Sequence, residues 1–307
     1  MIDSGTVRPN VNNGAIAAGL LLAVFLWGAS NTAIKFLVRF WPPIAIGSTR
    51  FVAAGLVLLA LLRWTHLFGA RHALSADLNR RLWWRGGLSL AAYIVAFNWA
   101  LKLTALSHVA LYLGASPVWA LLWEGPPERN WRSAQRYGAA ALAFCGVLVL
   151  FLPALRQAGV RWTGEILGLA CSVLWTQFGI QCRSLGRDLS GAEISAHTFL
   201  RAGLLLAPLA LVEVSTARIP WRMDLVWAQV LCVLGGGVAA FALWNSALRH
   251  WKTSQVYLFN NFIPLSNMAW AHYCLNEPVT AAFWVSMALI AAGVLLGQAN
   301  LQRFRSS

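Results

Sequence analysis

The stretch WNSALRHWKTSQVYLFNNFIP, Trp244 to Pro264, sets Asn245, Gln255, Asn260 and Asn261, a tyrosine and a proline inside a strongly apolar part of the chain. It has an echo in NWALKLTALSHVALYLGASP, Asn98 to Pro117. When residue i is laid on residue i + 147, Ala100-Leu101-Lys102 falls on Ala247-Leu248-Arg249. The same register puts Ser107 on Ser254, Val109 on Val256, Leu111 on Leu258 and Pro117 on Pro264. One helical hairpin is written twice, and the second copy is the more polar.

The correspondence continues outward. FVAAGLVL from Phe51 matches FLRAGLLL from Phe199 at i + 148, and Trp27 and Lys35 match Trp175 and Arg183 in that register. Gly146-Val147-Leu148 matches Gly293-Val294-Leu295 at i + 147. The chain thus divides into 14–153 and 164–300, joined by a linker at 154–163 and flanked by tails at 1–13 and 301–307.

Of the 307 residues 59% are hydrophobic and 11% charged, where soluble domains carry about 25% charged residues. The chain reads as a polytopic membrane protein. Its net charge of +14 does not indicate nucleic acid, because the basic residues sit in short gaps between apolar spans and not on one face. The five cysteines are dispersed through those spans without a CxxC, so neither a metal site nor a disulfide framework is expected, and no cofactor motif is present. Residues 1–13 are polar and the apolar run from Gly14 is too long for a signal peptide, so it is expected to stay as the first span.

A helix that crosses a bilayer needs about 20 apolar residues. Ten stretches qualify: 14–38, 42–62, 83–102, 105–124, 134–153, 164–184, 191–213, 226–248, 253–275 and 280–300. Each half then holds five. Five is odd, so the second half enters the membrane upside down. The expected fold is all-α and integral to the membrane, ten transmembrane helices in two inverted five-helix repeats. That arrangement suits alternating access around a site near the midplane. With the N-terminus cytoplasmic, 15 basic residues fall on the inner side and 7 on the outer, which puts both termini in the cytoplasm of a cell whose plasma (inner) membrane holds the protein.

In the ninth span Tyr257, Asn260, Asn261, Pro264 and Asn267 recur at i+3/i+4 and share a face. His108, Tyr112, Ser116 and Trp119 do the same in the fourth. Trp27 with Asn31, Trp175, Tyr93 with Phe97, and Phe241 with Asn245 add rings and amides at related places. Such a stripe either lines a cavity or bonds helix to helix. The cavity reading gives Trp27, Asn31, Tyr93, Phe97, Tyr112, Trp175, Asn245, Tyr257, Asn260 and Asn261 as substrate-binding. Arg50 and Arg201 lie within spans, and Glu193, His197 and Arg201 follow at i+4 steps. These cations either hold a substrate carboxylate, with His197 beside Arg201, or are structural charges that snorkel. Pro117 and Pro264 deprive the carbonyls of Leu113 and Asn260 of their helical donors, so paired bends are expected, for gating or for packing. All ten acidic residues fall in tails, loops or outer turns. Coupled carriers usually place a carboxylate at mid-membrane, so uncoupled movement is expected, with His197 or His108 as alternative proton carriers.

Trp27-Gly28 with Asn31 and Lys35, Arg50 after Pro42-Pro43, Ala100-Leu101-Lys102, Pro117, Trp175, and Pro264 followed by Glu277-Pro278 resemble the drug/metabolite transporter superfamily, EamA-type. Trp244-Asn245 and the polar ninth span are similar to its YddG-type amino-acid exporters. Asn130 stands where the first half would carry the counterpart of Glu277, so that glutamate reads as a helix-terminus device. The resemblance implies ten helices in inverted repeats and export of small metabolites. The expected function is an exporter of amino acids, aromatic ones included, with the substrate and the lipid bilayer as partners and a monomer as the working unit. Alternatives are a multidrug or other metabolite exporter driven by protons, and an intramembrane enzyme, for which HExxH, GxSxG and paired mid-span carboxylates are all missing.

Overall fold

A computed structural model describes residues 13–65, 71–104, 106–124, 129–157, 162–275 and 281–303. Residues 1–12 and 304–307 of the tails, 158–161 of the linker, Gly125-Pro126-Pro127 with Glu128, and Glu277-Pro278 lie outside them. All regular structure among the described residues is helical. The helices are α1 (Asn13–Leu37), α2 (Pro43–Trp64) and α3 (Ala76–Leu103), then α4 in two pieces (Leu106–Gly114 and Ser116–Glu124) and α5 (Trp131–Gln157). The second half holds α6 (Trp162–Leu185), α7 (Gly191–Ser215) and α8 (Met223–His250). It ends in α9, in three pieces (Thr253–Tyr257, the 3-10 turn Leu258–Phe262 and Ile263–Leu275), and α10 (Ala281–Arg303). Five of these, α1, α2, α3, α7 and α8, are long and apolar enough to cross a membrane. The protein is a multi-pass membrane protein of helices, as the composition requires.

Helices extend beyond the apolar stretches because caps, not hydropathy, end them. Ser75 Oγ accepts the Leu78 amide and starts α3 at Ala76, well before the apolar run at 83. Ser190 and Glu193 form a capping box at the start of α7. Pro43 opens α2, where a missing N–H costs nothing.

Contacts between connections define two ends of the bundle. At the N-terminal end Trp251 Nε1 donates to Asn13 Oδ1 (3.4 Å), Arg81 pairs with Asp188 (2.8 Å), and His72 bonds to Glu193 (2.9 Å). At the far end Trp41 Nε1 donates to the Pro220 carbonyl (3.1 Å), and Lys35 Nζ donates to the carbonyls of Leu101 (2.7 Å) and Thr104 (3.0 Å). Chain direction therefore alternates from helix to helix.

The two halves meet through their own counterparts. A Cβ built on Gly55 would lie 2.8 Å from Leu200 N, and one on Gly203 would lie 2.9 Å from Val52 N. Val52 and Leu200 are themselves partners at i + 148. Ser48 Oγ also donates to the Gly203 carbonyl (2.8 Å). On α5 and α10 a Cβ on Gly146 would sit 3.0 Å from the Ser286 carbonyl, and one on Gly293 2.8 Å from that of Ala139. The rings of Phe51 and Phe199 touch edge to face (4.8 Å), as do those of Trp27 and Trp175 (5.4 Å). A residue meets its own equivalent only along a two-fold axis. That axis runs between α2 and α7, between α5 and α10, and past α1 and α6. In a membrane, such close backbone approach is what small residues permit.

The α2–α7 contact makes a test. Gly55→Ala forces backbone apart and is expected to lower the melting midpoint of the detergent-purified protein by about 5 °C, an overpacking cost of about 1–3 kcal/mol. Gly138→Ala, with nothing within 4 Å of its Cβ, is expected to leave the midpoint unchanged or raised.

Candidate functional site

A cavity opens beside the axis. It is lined by Trp27 and Asn31 of α1, Arg50 and Phe51 of α2, Tyr93, Ile94, Phe97 and Asn98 of α3, Leu113 of α4, Trp175 of α6, Phe241 of α8 and Ile263 of α9. By their positions along the helices these residues lie from mid-bundle toward the far end. The cavity has a volume of about 30 Å³.

Rings form most of the wall. Tyr93 stacks on Phe97 (5.5 Å) and tilts against Trp175 (5.0 Å), and Phe241 meets Trp27 (5.0 Å) and Phe199 (4.7 Å) edge to face. Each such pair contributes about 0.5–1.5 kcal/mol beyond its buried area. Two polar groups on the wall are anchored by α8. Trp27 Nε1 donates to the Gly236 carbonyl (2.9 Å), and Arg50 Nε donates to the Cys232 carbonyl (3.1 Å). Both carbonyls belong to a π-helical stretch, Cys232–Ala239. A π turn leaves a carbonyl short of its usual helical donor, and side-chain donors reach this stretch at two of its carbonyls. Gly236 is required there: its Cβ would meet Ser30 Oγ and come within 2.9 Å of Arg50 Nη2. Of the three glycines, Gly236 and Gly237, whose Cβ would lie 2.9 Å from that of Ala54, serve close packing beside the anchored arginine.

Toward the N-terminal end a plug of rings closes the cavity. Trp244 lies 4.9 Å from Trp27, 5.8 Å from Trp175 and 5.4 Å from Tyr257, centroid to centroid. The Tyr257 hydroxyl donates to the Trp175 carbonyl. Trp244, Tyr257 and Phe178 are fully buried.

Six of the residues expected to bind substrate meet in the cavity: Trp27, Asn31, Arg50, Tyr93, Phe97 and Trp175. Tyr257 is in the plug. Asn245, Asn260 and Asn261 are buried in packed protein around it. Asn245 Nδ2 donates to Ser195 Oγ (2.8 Å) and Asn261 Nδ2 to the Leu258 carbonyl (3.2 Å). Asn260 Nδ2 and Oδ1, Asn245 Oδ1, Asn261 Oδ1 and Trp244 Nε1 have no hydrogen-bond partner among the described residues. Tyr112 lies outside the cavity, donating to Glu165 Oε2 (2.9 Å). Arg201 and His197 sit near the N-terminal end: Arg201 donates to the His197 carbonyl (3.1 Å) and to Asn79 Oδ1 (2.5 Å) and lies over the Trp83 ring (5.4 Å). Glu193 does not complete their stack; it accepts from the amides of Ser190 (2.8 Å) and His72 (2.6 Å). The helices that carry Pro117 and Pro264 are both interrupted just before the proline. The 3-10 turn before Pro264 lets the Asn260 carbonyl take the Ile263 amide, and α4 breaks at Ala115, two residues before Pro117.

Both halves match one family model, described as the EamA-like transporter family, over residues 14–152 and 162–297. The chain belongs to the EamA-like transporter family. It is a membrane transporter of small molecules. Among EamA-type relatives, "Uncharacterized transporter YwfM" of Bacillus subtilis (strain 168) is 21% identical over 90% of this chain and 91% of its own length. "Uncharacterized inner membrane transporter YhbE" of Escherichia coli (strain K12) is 22% identical over 90% of each chain. A solved crystal structure of a protein 19% identical superposes with a TM-score of 0.75, covering 94% of this chain and 98% of the other, which shows the shared fold.

The sequence reading missed several parts of this EamA-type site. Phe51, Ile94, Leu113 and Ile263 complete the wall with Asn98, whose Nδ2 donates to the Pro43 carbonyl (2.8 Å), and nothing in the type of the first four singles them out from other apolar residues. Glu165 lies in the first turn of α6, an outer turn, and is 8% exposed there. It accepts from Thr104 Oγ1 (2.6 Å) and Tyr112 and lies 2.7 Å from His108 Nδ1. The i+4 spacing of Thr104, His108 and Tyr112 was the available signal, since three polar groups on one face of an apolar hairpin need a partner.

The unpartnered amides yield a prediction. Asn260→Leu replaces two unsatisfied polar atoms by apolar ones of similar shape. It is expected to raise the melting midpoint by about 2–4 °C while lowering turnover in reconstituted liposomes. Gly236→Ala is expected to lower both, and Gly235→Ala, whose Cβ has no neighbour nearer than 3.5 Å, to change neither.

Proposed function

We propose that this transporter is an inner-membrane exporter of small metabolites, foremost amino acids and among them aromatic ones, working by alternating access without an ion gradient. The observation that carries the reading is the ring-walled cavity at the two-fold axis, closed on one side by the Trp175–Trp244–Tyr257 plug. A cavity of this size admits water and not an amino acid, so substrate enters only when a side opens. The halves 14–153 and 164–300 rock about the α2–α7 contact, each as the inverted copy of the other, with the N-terminal end facing the cytoplasm as the basic residues require. The unpartnered polar atoms of Trp244, Asn245, Asn260 and Asn261 support this. Each costs about 1–3 kcal/mol while buried, and each is hydrated once the cytoplasmic side opens. Pro117 and Pro264, beside the breaks in α4 and α9, are the bends about which that side moves. One copy of the chain contains the whole cavity, so a monomer suffices.

A second reading couples export to protons. It draws on the His108–Glu165 pair, a buried imidazole–carboxylate contact between the two halves of the sequence.

Reconstitution into liposomes with labelled amino acids, with and without a pH gradient, tests both. Equilibration of aromatic amino acids without accumulation is the expected result. Gradient-driven accumulation would move the assignment to the proton-coupled reading, and transport of no amino acid by folded protein would remove the substrate class. Trp175→Ala is expected to lower the rate at least about tenfold, the worth of a lost ring contact. Trp221→Ala, a ring 83% exposed at the far end, is expected to change it less than about twofold.

A further inference from the structure

Among the described residues Arg50 is the only charged side chain on the cavity wall. It is 6% exposed, and its one hydrogen bond to the described residues uses Nε. The two Nη groups bond to no described residue, and no carboxylate of the described residues pairs with them. The acids that could have done so are engaged elsewhere. Glu165 is held by Thr104, His108 and Tyr112, Glu193 by Ser190 and His72, and Glu213 by the amides of Ile44 (2.8 Å) and Ala45 (3.1 Å). A buried cation without a counter-charge is costly. Here the neighbours are the π-turn carbonyl of Cys232 and the Phe51 ring, 4.9 Å from the guanidinium carbon. They fix the group in place without neutralising it. Asn31, on the same wall, makes no hydrogen bond to the described residues and leaves a neutral amide facing the space.

We infer that the cavity is selective for organic monocarboxylates: the Nη groups of Arg50 take a substrate carboxylate while the rings of Trp27, Tyr93, Phe97 and Trp175 take a planar apolar body. The inference rests on the transport reading above and narrows its substrate. A guanidinium meets a carboxylate with two parallel N–H donors, and one such group balances one negative charge. A phosphate dianion calls for more converging cations than this wall holds: Lys35 is spent on the carbonyls of Leu101 and Thr104, and Arg201 on Asn79 and the His197 carbonyl. A cationic ligand gains from the ring faces but meets an uncompensated positive charge with no carboxylate on the wall to hold it. An amino acid enters as a carboxylate first, with its ammonium turned to the neutral amides.

Four probes that share a phenyl body separate these cases on the purified full-length protein: 3-phenylpropionate, phenylalanine, phenylalaninamide and phenethylamine. Binding is read by calorimetry and by thermal shift. The two carboxylates are expected to bind, and the amide and the amine to show no saturable binding. Arg50→Gln is expected to weaken both carboxylates about 10–100-fold, and Arg50→Lys by less. The inference is overturned if neither carboxylate binds folded wild-type protein, if the amide or amine binds within about threefold of the carboxylates, or if folded Arg50→Gln keeps its affinity. Should Arg50→Gln not fold, the wild-type series and Arg50→Lys decide. Arg50-dependent binding of 3-phenylpropionate together with no transport of any amino acid would leave the anion site standing and remove the amino-acid assignment.

Discussion

The backbone-to-backbone contact of α2 and α7 is the constraint on which the rest of the molecule depends. Gly55 of one helix and Gly203 of the other leave no room for a Cβ, and each faces the counterpart of the other's neighbour. Lipid gives no hydrophobic drive for helices to associate, so packing of this closeness has to supply it. Once the two helices cross there, the relation between the halves is fixed. Phe51 must meet Phe199, and Trp27 must meet Trp175, because each pair straddles the same axis. The aromatic wall of the cavity follows from that geometry.

A two-fold relation would give two equal sites, and one of the places where the sequence departs from it is Arg50. Each half places a π turn near the start of its third helix, Leu82–Gly87 in α3 and Cys232–Ala239 in α8. Each turn uses glycine to receive the second helix of the other half. Gly236 receives Arg50 and Ser30, while Gly86 receives Thr198, the counterpart of Arg50, whose Cγ2 would lie 2.5 Å from a Cβ built on the glycine. The frame is the same and the group inserted is a cation on one side and a threonine on the other. The chemistry of the cavity is lopsided for that reason, at Arg50, and the amides of α9 contribute to the plug.

The plug has both strong and weak elements. Its rings are densely packed, and the Tyr257 hydroxyl bond to the Trp175 carbonyl ties α9 to α6. Around it lie polar atoms with no partner among the described residues, on Trp244, Asn245, Asn260 and Asn261. Favourable ring contacts of about 0.5–1.5 kcal/mol each are thus opposed by desolvation costs of about 1–3 kcal/mol each. Opposed terms of similar size leave two arrangements close in free energy, which is what a transporter that must open and close requires.

The sequence by itself determined the class, the helices and the repeat. Composition demanded membrane helices, and the register of i + 147 and i + 148 between Trp27 and Trp175, Phe51 and Phe199, and Gly146 and Gly293 carried the symmetry, because both halves satisfy the same packing. Periodicity also grouped Tyr257, Asn260 and Asn261 on one face of α9. Only the tertiary structure decided what that face meets. A shared helical face is a local property, while whether it borders a cavity or a neighbouring helix depends on partners from other helices. The same holds for the cations. Arg50, Arg201 and Lys35 are alike in sequence as basic residues in or beside apolar spans. The π turn of α8 brings the first to the cavity, Asn79 holds the second at the N-terminal end, and the carbonyls closing α3 hold the third at the far end.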